Sequence, residues 1–115
     1  MKSSSGDIFR LKHISEAIGE IEQIIQDLRF KEFAGSILHG NAAARLLEII
    51  GEASNHLSAE LKNKYPEVNW RSITDLRNLI IHEYFGVDYS IIWNITHEQI
   101  PIFKEQIIQI IKEHN

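Results

Sequence analysis

The chain has 115 residues, 43% of them hydrophobic and 24% charged, with 12 basic against 16 acidic side chains and no cysteine. That length supports one domain with a real core but not two, the composition is ordinary for a globular protein, and the missing thiols exclude disulfides and thiolate metal sites. A net charge of −4 argues against coating nucleic acid through a broad positive surface and confines any contact with a polyanion to a local cluster of cations.

Residues 1–115 read as a single domain whose first six, Met1-Lys2-Ser3-Ser4-Ser5-Gly6, are expected to fray. They offer no apolar core of a signal peptide, and no apolar run approaches the ~20 residues of a membrane span. The expected compartment is the cytoplasm, with no membrane partner. Leu11, Ile14, Ile18, Ile21, Ile25 and Leu28 step by three and four, which predicts a long amphipathic helix over roughly residues 7–29, with Asp7 as its cap. Phe30 to Gly35 reads as a short helical turn or connection closed by Gly35. A second long helix follows from about Ser36 to Leu57, on the apolar face of Ala42, Ala43, Leu46, Leu47, Ile49, Ile50 and Ala53. His39-Gly40-Asn41 is poor helix material at its start.

Ser58 is a cap for a short helix that must end near Tyr65-Pro66, since the residue before proline resists helical geometry. A fourth main helix is expected from about Trp70 to Tyr84, stopped by Gly86, and Asp88 caps the next. The last helix runs from Tyr89 to about Glu113, with a break or bend at Pro101. The fold class is all-α: an antiparallel bundle of four main helices plus short ones. Its last two helices are apolar around most of their circumference, from Ile73 to Ile81 and from Ile91 to Ile111. A small bundle buries one stripe per helix, so the surplus predicts self-association as a two-fold dimer.

Chemistry concentrates in Arg77-Asn78-Leu79-Ile80-Ile81-His82-Glu83-Tyr84. A permanently charged guanidinium, an imidazole that titrates near neutrality and a phenol are what acid–base chemistry on a phosphodiester needs without a metal. On an α-helix Asn78 and His82 are i,i+4 neighbours, so the amide is able to fix the imidazole's tautomer. Arg77 and His82 lie about 140° apart around the axis and ~7.5 Å along it. A dimer that opposes two such helices closes that gap with a composite cleft. Taken singly, each residue has an ordinary reading: a surface ion pair for Arg77, a satisfied imidazole for His82, a core anchor for Tyr84.

The segment resembles the R-N-x-x-x-H-x-Y motif of the HEPN superfamily, specifically its HepT-like toxins. The resemblance extends to Arg45-Leu46-Leu47-Glu48-Ile49-Ile50-Gly51-Glu52-Ala53, to Tyr65-Pro66-Glu67-Val68-Asn69-Trp70, to Tyr84-Phe85-Gly86-Val87-Asp88, and to Trp93 and Ile100-Pro101. It spans roughly residues 7–112. Departures are Leu46, where asparagine is common, and His39-Gly40.

The resemblance implies an α-helical homodimer acting as a metal-independent ribonuclease toxin with no cofactor, with Arg77 and His82 catalytic, Asn78 supporting and RNA as substrate. It also implies a partner, the MNT-type nucleotidyltransferase antitoxin of a type VII pair, which uses ATP and magnesium to attach AMP to Tyr84. Two other readings stay open: a non-catalytic HEPN dimer that binds RNA or nucleotide, and a scaffold that docks a nucleotidyltransferase. Arg45, Glu48 and Glu52 share a helix face and are expected to serve structure. The remaining histidines, His13, His39, His56, His97 and His114, show no zinc-ligand spacing and are expected at the surface.

Overall fold

The computed structural model describes residues 4–78 and 88–114, with side chains from Gly6 onward. Helix α1 spans Ser4–Ile25, α2 Phe30–Ala34, α3 Ile37–Asn55, α4 Ala59–Lys64 and α5 Trp70–Thr74. A 3₁₀ turn follows at Asp75–Asn78; then come α6 at Tyr89–Asn94, a π-helical turn at Ile95–Gln99 and α7 at Ile100–His114. Among the described residues there is no strand, so the all-α expectation holds. None of their helices is long and apolar enough to cross a membrane.

Three long helices build the frame. The stripe foreseen on α1 is the centre of the core: Leu11, Ile14, Ile18 and Ile21 are essentially inaccessible, facing Leu47 and Ile50 of α3 and Ile100, Phe103, Ile107 and Ile110 of α7. Two polar ties fix the directions. Asp7, at the start of α1, accepts from the Ser58 amide at 2.9 Å and the Ser58 hydroxyl at 2.6 Å, just beyond the end of α3. Lys104, early in α7, reaches Glu22 near the end of α1 at 2.7 Å. Both pairs of helices are therefore antiparallel.

Asp7 was expected to cap its own helix. Instead α1 begins at Ser4, and the buried Asp7 carboxylate satisfies the Ser58 donors across the bundle. Ser58 meanwhile caps α4 by accepting from the Leu61 amide at 3.1 Å. Asp7→Ala removes the partner of two half-buried donors and is expected to cost about 1–3 kcal/mol in chemical denaturation.

The Ser58 and Asp88 caps read from sequence are in place, and Ser36, read only as the approximate start of its helix, is a cap as well. Ser36 accepts from the His39 amide at the start of α3, and Asp88 accepts from the Ser90 and Ile91 amides at the start of α6. The Ser90 hydroxyl bond and these amides hold the Asp88 carboxyl below the usual carboxylate range. His39-Gly40-Asn41, poor in propensity, is nonetheless helical: a side chain at Gly40 would collide with the Tyr89 ring, 2.6 Å from its Cδ1, so glycine lets α6 pack here. Tyr89 also donates to Asn41 at 3.2 Å.

Two further expectations need correction. The helix from Trp70 to Tyr84 was expected to be α-helical throughout; α5 ends at Thr74, and Asp75–Asn78 tightens to a 3₁₀ turn, the narrower form of helix. Its remainder, from Leu79, lies outside the described residues, as does Gly86. The last helix is modified ahead of Pro101 rather than at it. Pro101 has no N–H for the His97 carbonyl, and the preceding turn widens so that the Ile100 amide reaches the Ile95 carbonyl.

The Tyr65-to-Trp70 stretch closes on itself, with the Trp70 indole donating to the Tyr65 carbonyl at 3.0 Å and its ring meeting Phe103 edge-on. The buried Tyr65 hydroxyl donates to Glu113 at 2.6 Å, which ties this turn to the end of α7. Burial first, then the Glu113 bond and charge, push the Tyr65 phenol up to about 12. A phenol raised above its unfolded value of 10 contributes stability that is whole below pH 10 and is lost as pH rises towards 12. Tyr65→Phe is therefore expected to lower stability at pH 8 yet flatten the decline between about pH 10 and 12, measured by urea midpoints across that window.

Candidate active site

The site grows from a contact between backbones. Gly51, in the last third of α3, lies against the 3₁₀ turn so closely that an added Cβ would fall on the Arg77 amide nitrogen, 3.0 Å from the Leu76 carbonyl carbon and 3.1 Å from the Arg77 Cα. Only glycine permits this approach. The contact clamps Arg77 and Asn78 onto α3 while Leu76 goes into the core.

Arg77 and Asn78 open onto a groove of about 540 Å³ between the start of α1 and the second half of α3. Its walls carry Phe9, Arg10 and His13 from α1, and Arg45, Glu48, Ile49, Glu52, Ala53 and His56 from α3 and its end. Glu52 sits between two of the site's groups: Oε1 lies 3.8 Å from Arg77 Nη1, and Oε2 lies 2.9 Å from His56 Nε2. At 3.8 Å the Arg77 contact is an ion pair without a hydrogen bond. The guanidinium is about one-third exposed and the carboxylate about half, so the pair orients Arg77 without consuming it. Arg45 and Glu48 form a tighter pair at 2.6 Å.

Behind the turn, Lys62 approaches the Asn55 carbonyl that ends α3, at 3.5 Å. Burial pulls its ammonium below the ordinary lysine value; the Asp7 carboxylate opposes that shift, and the Arg77 guanidinium adds to it.

Of the four site residues read from sequence, the structure brings Arg77 and Asn78 together at the groove. His82 and Tyr84 lie outside the described residues, and so does the contact expected between Asn78 and His82. The stripe of Arg45, Glu48 and Glu52 proves to be one wall of the site, with Glu52 supporting Arg77. Phe9, Arg10 and His13, in the second and third turns of α1, were not foreseen as site residues. The available signal was Phe9 itself, an aromatic placed off the Leu11–Ile14–Ile18 stripe.

The model of the family described as "Ribonuclease HepT-like" matches residues 14–110. The chain belongs to the HepT-like ribonuclease family. HepT-like relatives include "Putative RNase MJ1380" of Methanocaldococcus jannaschii, 36% identical over 97 residues that cover 84% of this chain and 89% of that one. "Probable ribonuclease HepT" of Thermococcus cleftensis is 39% identical over 104 residues, covering 90% and 93%. "Putative RNase TTE0752" of Caldanaerobacter subterraneus subsp. tengcongensis is 35% identical over 103 residues, covering 90% and 92%. No solved structure gives a significant match to this HepT-like chain.

Proposed function

We propose that this chain is a metal-independent endoribonuclease, the toxin of a toxin–antitoxin pair, with Arg77 and His82 as its catalytic residues. The observation that carries the reading is the placement of Arg77: a guanidinium anchored through its own backbone to Gly51, steered by a loose ion pair with Glu52, and open to a groove. Membership of a ribonuclease family supports the same reading.

RNA supplies its own nucleophile. Neutral His82 takes the proton of a ribose 2′-hydroxyl, and the 2′-oxygen attacks the adjacent phosphorus. Arg77 binds the non-bridging oxygens and stabilises the charge that builds on the phosphorane. The bond to the 5′-oxygen breaks, and that oxygen takes up the proton. The products are a 2′,3′-cyclic phosphate and a 5′-hydroxyl. Asn78, next in sequence to Arg77, is assigned to holding His82 in the productive tautomer.

The working unit is a two-fold homodimer, in which opposed motif segments bring Arg77 and His82 into one cleft. The apolar surplus of the last helices supports it, since Ile102 remains 66% exposed and Ile91 and Ile108 also reach the surface. Neutralisation is covalent: an MNT-type nucleotidyltransferase attaches AMP to Tyr84, placing bulk and negative charge two residues from His82, where the RNA phosphate must sit.

The test is incubation of unmodified protein, with Tyr84 checked by mass, and of His82→Ala with total RNA in EDTA. Cleavage by the wild type is expected, reduced by about 10²- to 10⁴-fold in the variant. Intact RNA in both lanes overturns the reading and favours a binding or docking module.

A further inference from the structure

Phe9 is difficult to explain by folding alone. It sits in the second turn of α1, yet 71% of it is exposed while the neighbouring Leu11 is fully buried. His13, one turn on, is its ring neighbour at 6.4 Å between centroids and inclined by 42°, an arrangement that leaves most of the Phe9 ring open. Ring and imidazole form one wall of the groove that begins at Arg77, with the half-buried Ile49 and Ala53 opposite.

Charge in the groove is biased against the chain as a whole. Its walls hold three guanidinium groups, Arg10, Arg45 and Arg77, against the two carboxylates of Glu48 and Glu52, in a protein of net charge −4. Both carboxylates face cations already: Glu48 meets Arg45 at 2.6 Å, and Glu52 meets Arg77 at 3.8 Å. The volume, about 540 Å³, lies within the ~300–1,000 Å³ of small-ligand sites. An open aromatic face, an apolar wall and one guanidinium, that of Arg10, in excess of the carboxylates are the components of a single-stranded nucleic-acid subsite. Every base has a π-face to stack and carries a phosphate beside it. A neutral apolar partner would account for the apolar wall but not for the excess of guanidinium over carboxylate beside it.

We propose that this groove is a subsite for one unpaired base of single-stranded RNA, stacked on Phe9, with an adjoining phosphate held by Arg10. The proposal rests on the ribonuclease reading of Arg77 and adds a substrate class to it: RNA whose nucleotide next to the scissile phosphate is free to leave its stack. Stacking tolerates any base, so the subsite selects for single-strandedness rather than sequence.

The test measures binding separately from cutting. A fluorescently labelled, fully 2′-O-methylated eight-nucleotide oligomer lacks the nucleophile, and its anisotropy with wild type, Phe9→Ala, Phe9→Leu and Phe9→Trp gives four affinities. Circular dichroism confirms folding, which an exposed position should not disturb. Alanine and leucine are each expected to weaken binding roughly 5- to 100-fold, with tryptophan close to wild type. Unchanged affinity in Phe9→Ala overturns the subsite, and so does full retention by leucine, which would mark a merely apolar contact. A shift of Phe9→Ala from dimer to monomer in sedimentation, with affinity retained, would overturn it in favour of a second copy on this face. Wild type that binds the oligomer through Phe9 but never cuts ordinary RNA would sink the ribonuclease reading and leave the subsite standing. Wild type that cuts RNA, with Phe9→Ala unaltered in KM, would sink the subsite alone.

Discussion

Replacing Arg77 by alanine is expected to lower kcat/KM for RNA cleavage by roughly 10²- to 10³-fold, the usual effect of deleting one donor that stabilises transition-state charge. Stability should hardly move. Among the described residues the Arg77 side chain pairs with the half-exposed Glu52, at 3.8 Å, and exposed pairs of this kind contribute about 0–1 kcal/mol. Arg77→Lys restores charge but not the planar fork that grips two phosphate oxygens, so its activity should fall between the two. Steady-state cleavage of a fluorogenic oligoribonucleotide, beside thermal melts of the same three proteins, separates these effects. Equal kcat/KM in all three would remove Arg77 from the chemistry.

Gly51→Ala is expected to have the opposite profile, with stability and activity failing together. The new methyl group meets backbone on all three sides that matter: the Arg77 nitrogen, the Leu76 carbonyl carbon and the Arg77 Cα. No side chain is able to swing aside, so the 3₁₀ turn must lift from α3 or α3 must bend. Overpacking of this kind costs about 3 kcal/mol, which for a domain of this size lowers the melting midpoint by roughly 10 °C. In an ordinary exposed helix the same change would stabilise by about 0.5–1 kcal/mol, so even the sign is diagnostic. Cleavage should drop as well, because Arg77 is displaced with its backbone. A melt at or above the wild-type midpoint would show that the close approach is not needed.

Much of the frame was legible in the sequence because it rests on local rules. The three- and four-residue spacing from Leu11 to Ile25 gave α1 its buried face, and Ser58 and Asp88 announced helix starts through oxygens able to accept from amides two or three residues on. Other features depend on partners distant in the chain. Asp7 looks like a helix cap until Ser58, 51 positions away, is folded onto it. The 3₁₀ turn at Asp75–Asn78 packs against Gly51, 24 or more positions away in the chain, a contact that Asp-Leu-Arg-Asn by itself does not announce. Gly51, in the last third of α3, permits the close approach of Arg77.

The candidate site was legible by half. Arg77 and Asn78 were found as chemistry-bearing residues and do meet at a groove. The wall formed by Phe9, Arg10 and His13 was not found, because only tertiary packing brings the start of α1 beside residues 45–56 of α3. The α-helical phase assumed for the motif fails at its first two residues, which a 3₁₀ turn sets at about 120° per residue rather than 100°.

The central claim is that Arg77 and His82 use the substrate's own 2′-hydroxyl to cut RNA without a metal. The most direct measurement is incubation of the unmodified protein, in EDTA, with a DNA strand containing one internal ribonucleotide, followed by mass analysis of the ends. Cleavage only on the 3′ side of that ribonucleotide, leaving a 2′,3′-cyclic phosphate and a 5′-hydroxyl, is the predicted result. Cleavage at deoxynucleotides, or a 5′-phosphate at the cut, would contradict the mechanism.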